Sequence, residues 1–291
     1  MEPYNALQQV ALRLDGLTLA GFSISGLATY VQVPELDLCF DMGECPLSSL
    51  SLNHLFLTHA HGDHSRCLMR HWHLRRMIGI ARPATYFLPE EIRTSFEQLV
   101  RAEAFFEGVP PGEVEMPVLV GLAPGQRADL PQRPDLGVGA FSVKHRVPSL
   151  GYTIYSRKKK LLPQYASLSG KDIAALRKSG TVVQQDVEHP LVTFIGDCIG
   201  ASLVEEAHIW SSDIVIIEAT FLEPGEEATA TAKMHTHLGE IVATLDALGD
   251  RVLAKHIVLK HFSMKYPRDR VPDIIASAIP ARFRDRIRIL L

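Results

Sequence analysis

The chain has 291 residues, of which 46% are hydrophobic and 22% are charged, as is usual for a globular protein. Its formal net charge of −3 excludes binding of nucleic acid through overall charge alone, so such a role would need local basic patches. No apolar run reaches the roughly 20 residues of a membrane-spanning helix, and the N-terminus lacks the apolar segment of a secretory signal. Four scattered cysteines are too few for a disulfide framework, so we expect a cytoplasmic protein.

Short apolar runs separated by turn residues predict strands in the first third of the chain, at 17–25, 28–33, 36–40 and 54–59. The segment 89–108 predicts a helix, because Pro89 stands at its start, two glutamates follow and apolar residues recur at helical spacing. The remaining predicted elements are a helix at 237–250 and strands at 114–122, 138–145, 151–156, 191–197, 212–220 and 256–262.

Strands therefore occur in both halves of the chain, and helices follow each set. This order predicts an α/β protein in which two sheets pack face to face with helices outside, an αββα sandwich. We interpret residues 1–291 as one domain. The segment 157–190 is rich in Lys, Ser and Gly, has no regular pattern, and is interpreted as a short insertion within that domain.

The stretch THAHGDH concentrates three histidines and an aspartate directly after an apolar strand. Imidazole and carboxylate groups are ligands for zinc and similar divalent ions. His59 and His61 point to the same side of an extended segment, and the glycine that follows permits a turn that brings Asp63 and His64 to the same space. The alternative is a chance surface cluster. We favour a site for two metal ions, because the stretch follows an apolar strand.

Three further candidate ligands also stand at the ends of predicted strands, namely His145, Asp197 and His261. Each of them taken alone is more often a structural residue. Their shared position at strand ends predicts that they meet the first four residues in space.

These motifs resemble the metallo-β-lactamase superfamily and, within it, the tRNase Z family of endoribonucleases that mature tRNA 3′ ends. THAHGDH resembles the superfamily signature. EATF with a downstream histidine resembles the motif that distinguishes tRNase Z from lactamases. Several stretches, such as KLLPQYASLSGKDIAALRKSG, look like the short plant-type form. Other segments that resemble family motifs are FDMGECP, HRVPSLGYTIYS, FIGDC and LKHFSMKY. The resemblance implies the metallo-β-lactamase αββα sandwich.

The resemblance also implies two Zn²⁺ ions per subunit, or Mn²⁺ or another divalent ion in their place. The first ion is expected on His59, His61 and His145. The second is expected on Asp63, His64 and His261, with Asp197 bridging the two. Asp41 is expected to orient ligand histidines, although capping of the turn at 41–43 explains an aspartate there equally well.

The implied reaction is a two-metal hydroxide attack that removes the 3′ trailer from precursor tRNA. Asp63 would hydrogen-bond the hydroxide, and His235 would protonate the leaving oxygen. Glu218 would orient His235, and Thr220 would support the loop. His237 is the alternative proton donor, and we favour His235 from its position relative to the family motif.

Precursor tRNA is the expected partner, and the resemblance implies a homodimer. The lack of a long apolar run leads us to expect no membrane association. The insertion is too short for the long arm of many bacterial members and resembles a compact plant-type exosite. Its basic residues are candidates for phosphate contacts, the alternative being a solvated surface: Lys158, Lys159, Lys160, Lys171, Arg177 and Lys178.

Two other functions stay open at this point. The same scaffold could hydrolyse small phosphodiesters, cyclic nucleotides or thioesters, or it could be an inactive RNA-binding scaffold. Candidate ligands at every expected position argue against the inactive scaffold.

Overall fold

The computed structural model describes residues 9–291, so residues 1–8 of the expected domain lie outside the described residues. The first half of the chain forms a seven-stranded sheet whose strands are neighbours in chain order. The strands from β1 to β4 pair antiparallel and those from β4 to β7 pair parallel. They are β1 (Val10–Leu14), β2 (Leu17–Ile24), β3 (Ala28–Val33), β4 (Leu38–Phe40), β5 (His54–Phe56), β6 (Thr85–Pro89) and β7 (Val118–Leu122).

The second half repeats this plan in another seven-stranded sheet. Here the first four strands pair antiparallel and the last four pair parallel. They are β8 (Arg127–Leu130), β9 (Arg133–Ser142), β10 (Leu150–Leu161), β11 (Gln184–Ile195), β12 (Ile214–Glu218), β13 (His256–Lys260) and β14 (Ile287–Ile289).

Helices cover the outer faces of both sheets. Buried apolar residues of α2 and α3 pack on the first sheet, and those of α5, α7 and α8 pack on the second. The helices are α1 (Gly62–Ser65), α2 (Leu68–Met77), α3 (Glu90–Phe106), α4 (Gly170–Lys178), α5 (Ala201–Glu205), α6 (Glu227–Lys233), α7 (Leu238–Leu248) and α8 (Val271–Ala278). The layers are helices, sheet, sheet and helices, which confirms the predicted αββα sandwich.

Aromatic residues fill the space between the sheets. Phe40 of the first sheet stacks on Phe194 of the second, with 4.6 Å between ring centroids, and Phe56 stacks on Phe87 at 4.7 Å. All four side chains are buried, and truncation of such a residue to alanine typically costs about 3–5 kcal/mol of stability. The apolar layer holds the sheets face to face, so loops from both sheets meet at one edge.

The segment 157–190 is more regular than the sequence predicts. Its two ends continue β10 and β11 as a long antiparallel hairpin, and α4 lies in the connection between them. Arg157 lies opposite Glu188 in the register, and Lys159 lies opposite Asp186. Opposite charges across two strands stabilise a hairpin that has no apolar alternation, which is why the hydrophobic pattern does not predict it.

Buried His71 leads to a prediction about stability and pH. Its Nδ1 and Nε2 lie 2.9 Å from the Tyr86 hydroxyl and 3.0 Å from the Ser49 carbonyl, and burial lowers the pKa of the imidazole to about 4. The unfolded chain therefore takes up a proton below pH about 6.5 that the folded protein excludes. Stability is lost as the pH falls from about 6.5 towards 4.

Between pH 7.5 and pH 5, we expect the free energy of unfolding to fall by about 2 kcal/mol more in wild type than in His71→Gln. This value follows from the difference in pKa between the unfolded and folded states, at about 1.4 kcal/mol per pKa unit. Urea unfolding at the two pH values measures this difference. Groups shared by both proteins, including the candidate metal ligands, cancel in the comparison. Equal losses in the two proteins would contradict the prediction.

Candidate metal centre

Loops at one edge of the sandwich carry the residues singled out from the sequence. β5 leads to His59 and α1, while β9, β11 and β13 lead to His145, Asp197 and His261. The structure brings these residues together, although they come from distant parts of the chain. They form two adjoining groups.

The first group consists of His59, His61, His145 and Asp197, whose potential ligand atoms lie within 4.8 Å of one another. His61 Nδ1 is 3.2 Å from both His59 Nε2 and His145 Nε2. Two nitrogens bound to one tetrahedral zinc ion at about 2.0–2.1 Å lie about 3.3 Å apart. The donor types and their spacing therefore fit a divalent metal ion.

The second group consists of Asp63, His64 and His261, also within 4.8 Å. His64 Nε2 and His261 Nε2 are 3.2 Å apart, and Asp63 Oδ2 lies 3.4 Å from His261 Nε2. This spacing fits a second ion.

Asp197 reaches both groups with its two carboxylate oxygens. Oδ1 is 3.3 Å from His64 Nε2 and 3.4 Å from His261 Nδ1, while Oδ2 is 3.8 Å from His59 Nε2. Oδ1 is buried, and no hydrogen bond reaches it from any residue that the structure describes. A buried carboxylate oxygen without a donor is costly, and a bound cation would satisfy it.

The second nitrogen of His64 is held by Asp41. Its Nδ1 donates to Asp41 Oδ2 at 2.8 Å, and the other carboxylate oxygen accepts from the Thr58 backbone N–H at 2.8 Å and hydroxyl at 2.9 Å. Asp41 adopts a left-handed φ of 56°. Its carboxylate therefore fixes the ring orientation of a candidate ligand, as residues behind metal ligands commonly do.

Two other candidate ligands have similar anchors. His145 Nδ1 lies 2.9 Å from the Met234 carbonyl, and His261 Nδ1 lies 3.0 Å from Thr220 Oγ1. Met234 and His261 have left-handed φ values of 62° and 64°. Such backbone conformations cost about 1–3 kcal/mol each and cluster at functional sites.

The protonation states suit metal binding. Burial lowers the pKa of His59, His61 and His145, which favours neutral imidazoles. Burial alone would raise the pKa of Asp63 and Asp197, but neighbouring histidines outweigh it and hold both carboxyl groups well below their usual range.

His64 differs from the other histidines. Burial opposes its protonation, but the Asp197 and Asp41 carboxylates outweigh burial and raise its pKa to about 10. Positive charge is thus strongly favoured at this ring. A divalent ion at Nε2 would be stabilised by the same two carboxylates.

His235 lies beside both groups, forms a third potential metal-binding group with Asp197 and His261, and pairs with Glu218. Its Nδ1 donates to Glu218 Oε1 at 3.0 Å and lies 3.8 Å from Asp197 Oδ2. Glu218 also accepts from Cys198 N at 2.9 Å and from the Thr220 hydroxyl. Burial lowers the pKa of His235, but Glu218 more than compensates and raises it to about 8. Because Nδ1 is engaged, Nε2 is the nitrogen available for proton transfer.

His237, the alternative from the sequence, has a different environment. It is the N-cap of α7, where its Nδ1 accepts from Gly239 N at 3.0 Å and Glu240 accepts from its backbone N–H at 2.9 Å. Its Nε2 lies 2.9 Å from the Glu223 carbonyl. Both ring nitrogens thus hold the start of the helix, so the geometry favours His235 for chemistry.

The six basic candidates for RNA contacts do not lie at this centre. Lys158, Lys159 and Lys160 are exposed near the far end of β10, on the order of 25 Å of strand from Leu150. Lys171, Arg177 and Lys178 are exposed on α4 near the hairpin tip.

Sequence reasoning missed three residues that shape the centre. Thr58 anchors His59 Nδ1 at 3.0 Å, and its place inside THAHGDH was a usable signal. Gly26 donates its backbone N–H to Asp63 Oδ2 at 2.7 Å. Gly43 packs so tightly that a Cβ atom there would lie 1.9 Å from the Asp63 carbonyl oxygen. Both glycines are distant in sequence from their partner, so no local pattern reveals these contacts.

None of the helices among the described residues is long and apolar enough to span a bilayer. No protein-family model matches the chain. Comparison with curated proteins does find relatives. The chain is 32% identical to the chloroplastic tRNase Z TRZ2 of Arabidopsis thaliana over 93% of this chain and 74% of that protein. It is 31% identical to tRNase Z TRZ1 of the same plant over 95% of this chain and 96% of the relative.

Among solved structures, the metallo-β-lactamase fold protein YhfI of Bacillus subtilis superposes with a TM-score of 0.58. It is 13% identical and covers 92% of each chain, so it shows the fold alone. The motifs, the two-sheet architecture and these relatives agree, which confirms the predicted fold and family. The chain belongs to the tRNase Z family.

Proposed function

We propose that this protein is a zinc-dependent endoribonuclease that removes 3′ trailers from precursor tRNA. The observation that carries the proposal is the His235–Glu218 pair, which lies beside two convergent groups of metal-ligand side chains in a member of the tRNase Z family. Phosphodiester cleavage needs an activated water and a proton donor for the leaving oxygen. Both requirements have candidate residues within one site.

The proposed ligands divide between two ions. His59, His61 and His145 hold one, Asp63, His64 and His261 hold the other, and Asp197 contributes to both. Zinc or another divalent ion bound there supplies Lewis-acid activation of water and stabilises charge on the phosphodiester oxygens. Two observations support this assignment: the distances of 3.2 Å between histidine nitrogens, and the buried Asp197 Oδ1, which accepts no hydrogen bond from the described residues.

Side chains of the protein carry out the proton transfer and orient the groups involved. His235 donates a proton from Nε2 to the leaving 3′ oxygen, and Glu218 holds the ring through Nδ1 and favours its protonated form. Thr220 positions Glu218 and His261 through its hydroxyl. Asp63 keeps its carboxylate ionised and accepts a hydrogen bond from the attacking group, while the backbone of Gly26 fixes its orientation.

The hairpin of β10 and β11 is the proposed exosite for tRNA. Its candidate phosphate contacts are the exposed Lys158, Lys159, Lys160, Lys171, Arg177 and Lys178. Asp186 lies opposite Lys159 and offsets part of its charge, so Lys158 and Lys160 are the stronger candidates on the strand. We also propose that the chain forms a homodimer. We further propose that it works in the cytoplasm, and its four free cysteines support that compartment.

Cleavage of a 3′-extended precursor tRNA tests the function directly. We expect the metal-loaded protein to cut next to the discriminator nucleotide and to leave a 3′ hydroxyl on the tRNA body. Removal of metal with a chelator should abolish this cleavage, and zinc should restore it. Bis-p-nitrophenyl phosphate is the comparison substrate. Hydrolysis of that small ester without a cut near the discriminator nucleotide would contradict the tRNA proposal.

A further inference from the structure

Two adjoining cavities lead away from the candidate metal centre. The first, about 500 Å³ in volume, is lined by His145, Arg146 and Met234 at the centre and extends to Pro124 and Ser142. The second, about 310 Å³, also has Pro124 and Ser142 in its wall and continues across β8, β9 and β10. Because the two cavities share this wall, they form one groove. Its combined volume is typical of binding sites for small ligands.

A stack of three residues lines the far part of this groove. The Arg127 guanidinium carbon lies 4.2 Å from the centroid of the Tyr155 ring. The ring also lies close against Gly139, where a Cβ atom would be 3.2 Å from Tyr155 Cε2. The guanidinium therefore lies over the aromatic ring, and the ring packs against the glycine.

Ion pairs fix the orientation of the guanidinium. Glu188 accepts from Arg127 through one carboxylate oxygen and from Arg157 Nε through the other, at 2.9 Å in the second case. Arg157 is further paired with Asp129 at 2.5 Å. Because these carboxylates offset the charge, the platform is better suited to stacking with a planar base than to binding a phosphate.

We propose that Arg127 and Tyr155 form a stacking platform for a base of the single-stranded 3′ trailer. This inference rests on the proposed function and identifies the path of the RNA beyond the cut. Stacking on aromatic rings and guanidinium planes is how single-stranded RNA is commonly held without sequence preference.

Geometry favours the trailer over the tRNA body. Gly139 is three residues along β9 from Ser142, which is about 10 Å of strand beyond the wall of the first cavity. The base that occupies the platform is thus removed from the scissile phosphate by more than one nucleotide. In the tRNA body, nucleotides at that distance from the scissile phosphate are paired in the acceptor stem. In the trailer, nucleotides at the same distance are unpaired and can stack on the platform.

Binding of a 5′-phosphorylated RNA of about eight nucleotides tests the platform without tRNA cleavage. Fluorescence anisotropy with the metal-loaded protein should show about tenfold weaker binding for Tyr155→Ala and Arg127→Lys, the usual loss when one stacking contact is removed. Arg127→Lys is decisive, because it keeps the charge and removes the planar group. Tyr155→Phe should bind like wild type. Wild-type affinity in Arg127→Lys and Tyr155→Ala would overturn the proposal.

Precursor tRNAs with trailers of one and about eight nucleotides provide a second measurement. The ratio of kcat/KM for the long trailer to that for the short one should fall about tenfold in Tyr155→Ala and Arg127→Lys. The control Arg101→Ala removes an exposed guanidinium from α3 and should keep the wild-type ratio. An unchanged ratio in the platform variants contradicts the platform but leaves the nuclease proposal intact. If wild type cuts no precursor tRNA, the nuclease proposal fails, and the anisotropy result still decides the platform.

Discussion

Replacement of His235 by alanine is expected to lower kcat on precursor tRNA by about 10²- to 10⁴-fold, the usual contribution of a positioned general acid. The variant loses the imidazole that donates to the leaving oxygen, while every proposed metal ligand stays in place. Metal content, measured by atomic emission, should therefore match wild type. KM should change little, because the lost interaction forms mainly in the transition state.

His73→Ala is a matched control for that variant. His73 on α2 also pairs with a glutamate, Glu103, at 3.0 Å between Nε2 and Oε2, but it lies outside the metal-ligand groups. We expect wild-type turnover from His73→Ala. Full activity in His235→Ala would show that the proton comes from elsewhere, and loss of metal from His235→Ala would show that the residue is a ligand.

Asp197→Asn should remove metal from the protein and abolish activity. The substitution keeps the shape of the side chain but removes the negative charge that faces both groups of ligands. Loss of a residue behind a ligand weakens metal binding about 10–100-fold, and loss of a shared ligand should weaken it further. The measurements are the metal content after dialysis and the melting temperature with and without zinc.

In wild type, zinc at 1,000 times its dissociation constant stabilises the fold by about 4 kcal/mol, and this gain should vanish in Asp197→Asn. Asp213→Asn is the control. Asp213 is a half-buried carboxylate just before the first residue of β12, whereas Glu218 beside the candidate centre is the last residue of that strand. It should retain both metal and the zinc-dependent increase in melting temperature. A wild-type zinc response in Asp197→Asn would exclude Asp197 as a shared ligand.

The sequence predicts the candidate centre well because its residues follow strong local signals. His145, Asp197 and His261 each follow an apolar run, and an apolar run that ends in a polar residue marks the place where a strand leaves the core. The sandwich itself follows from the order of these runs. Strands β1, β6, β8 and β14 escape prediction because they are short or lack clear turn signals at both ends.

Contacts between distant segments account for what the sequence could not predict. The sequence left two explanations for Asp41, and only the fold brings His64 and Thr58 to its carboxylate. The choice between His235 and His237 depends in the same way on which of them meets Glu218. Charge pairing between β10 and β11 likewise replaces the apolar pattern that strand prediction requires.

The candidate ligands divide between the two halves of the sandwich. The loop after β5 in the first sheet supplies His59, His61, Asp63 and His64, whereas loops of the second sheet supply the other three. In the proposed assignment each ion takes ligands from both halves, so neither half alone contains a complete set for either ion. Under the proposed assignment, we expect the chain to retain metal only after its two halves have docked, so that the proposed RNA cleavage begins only once the fold is complete.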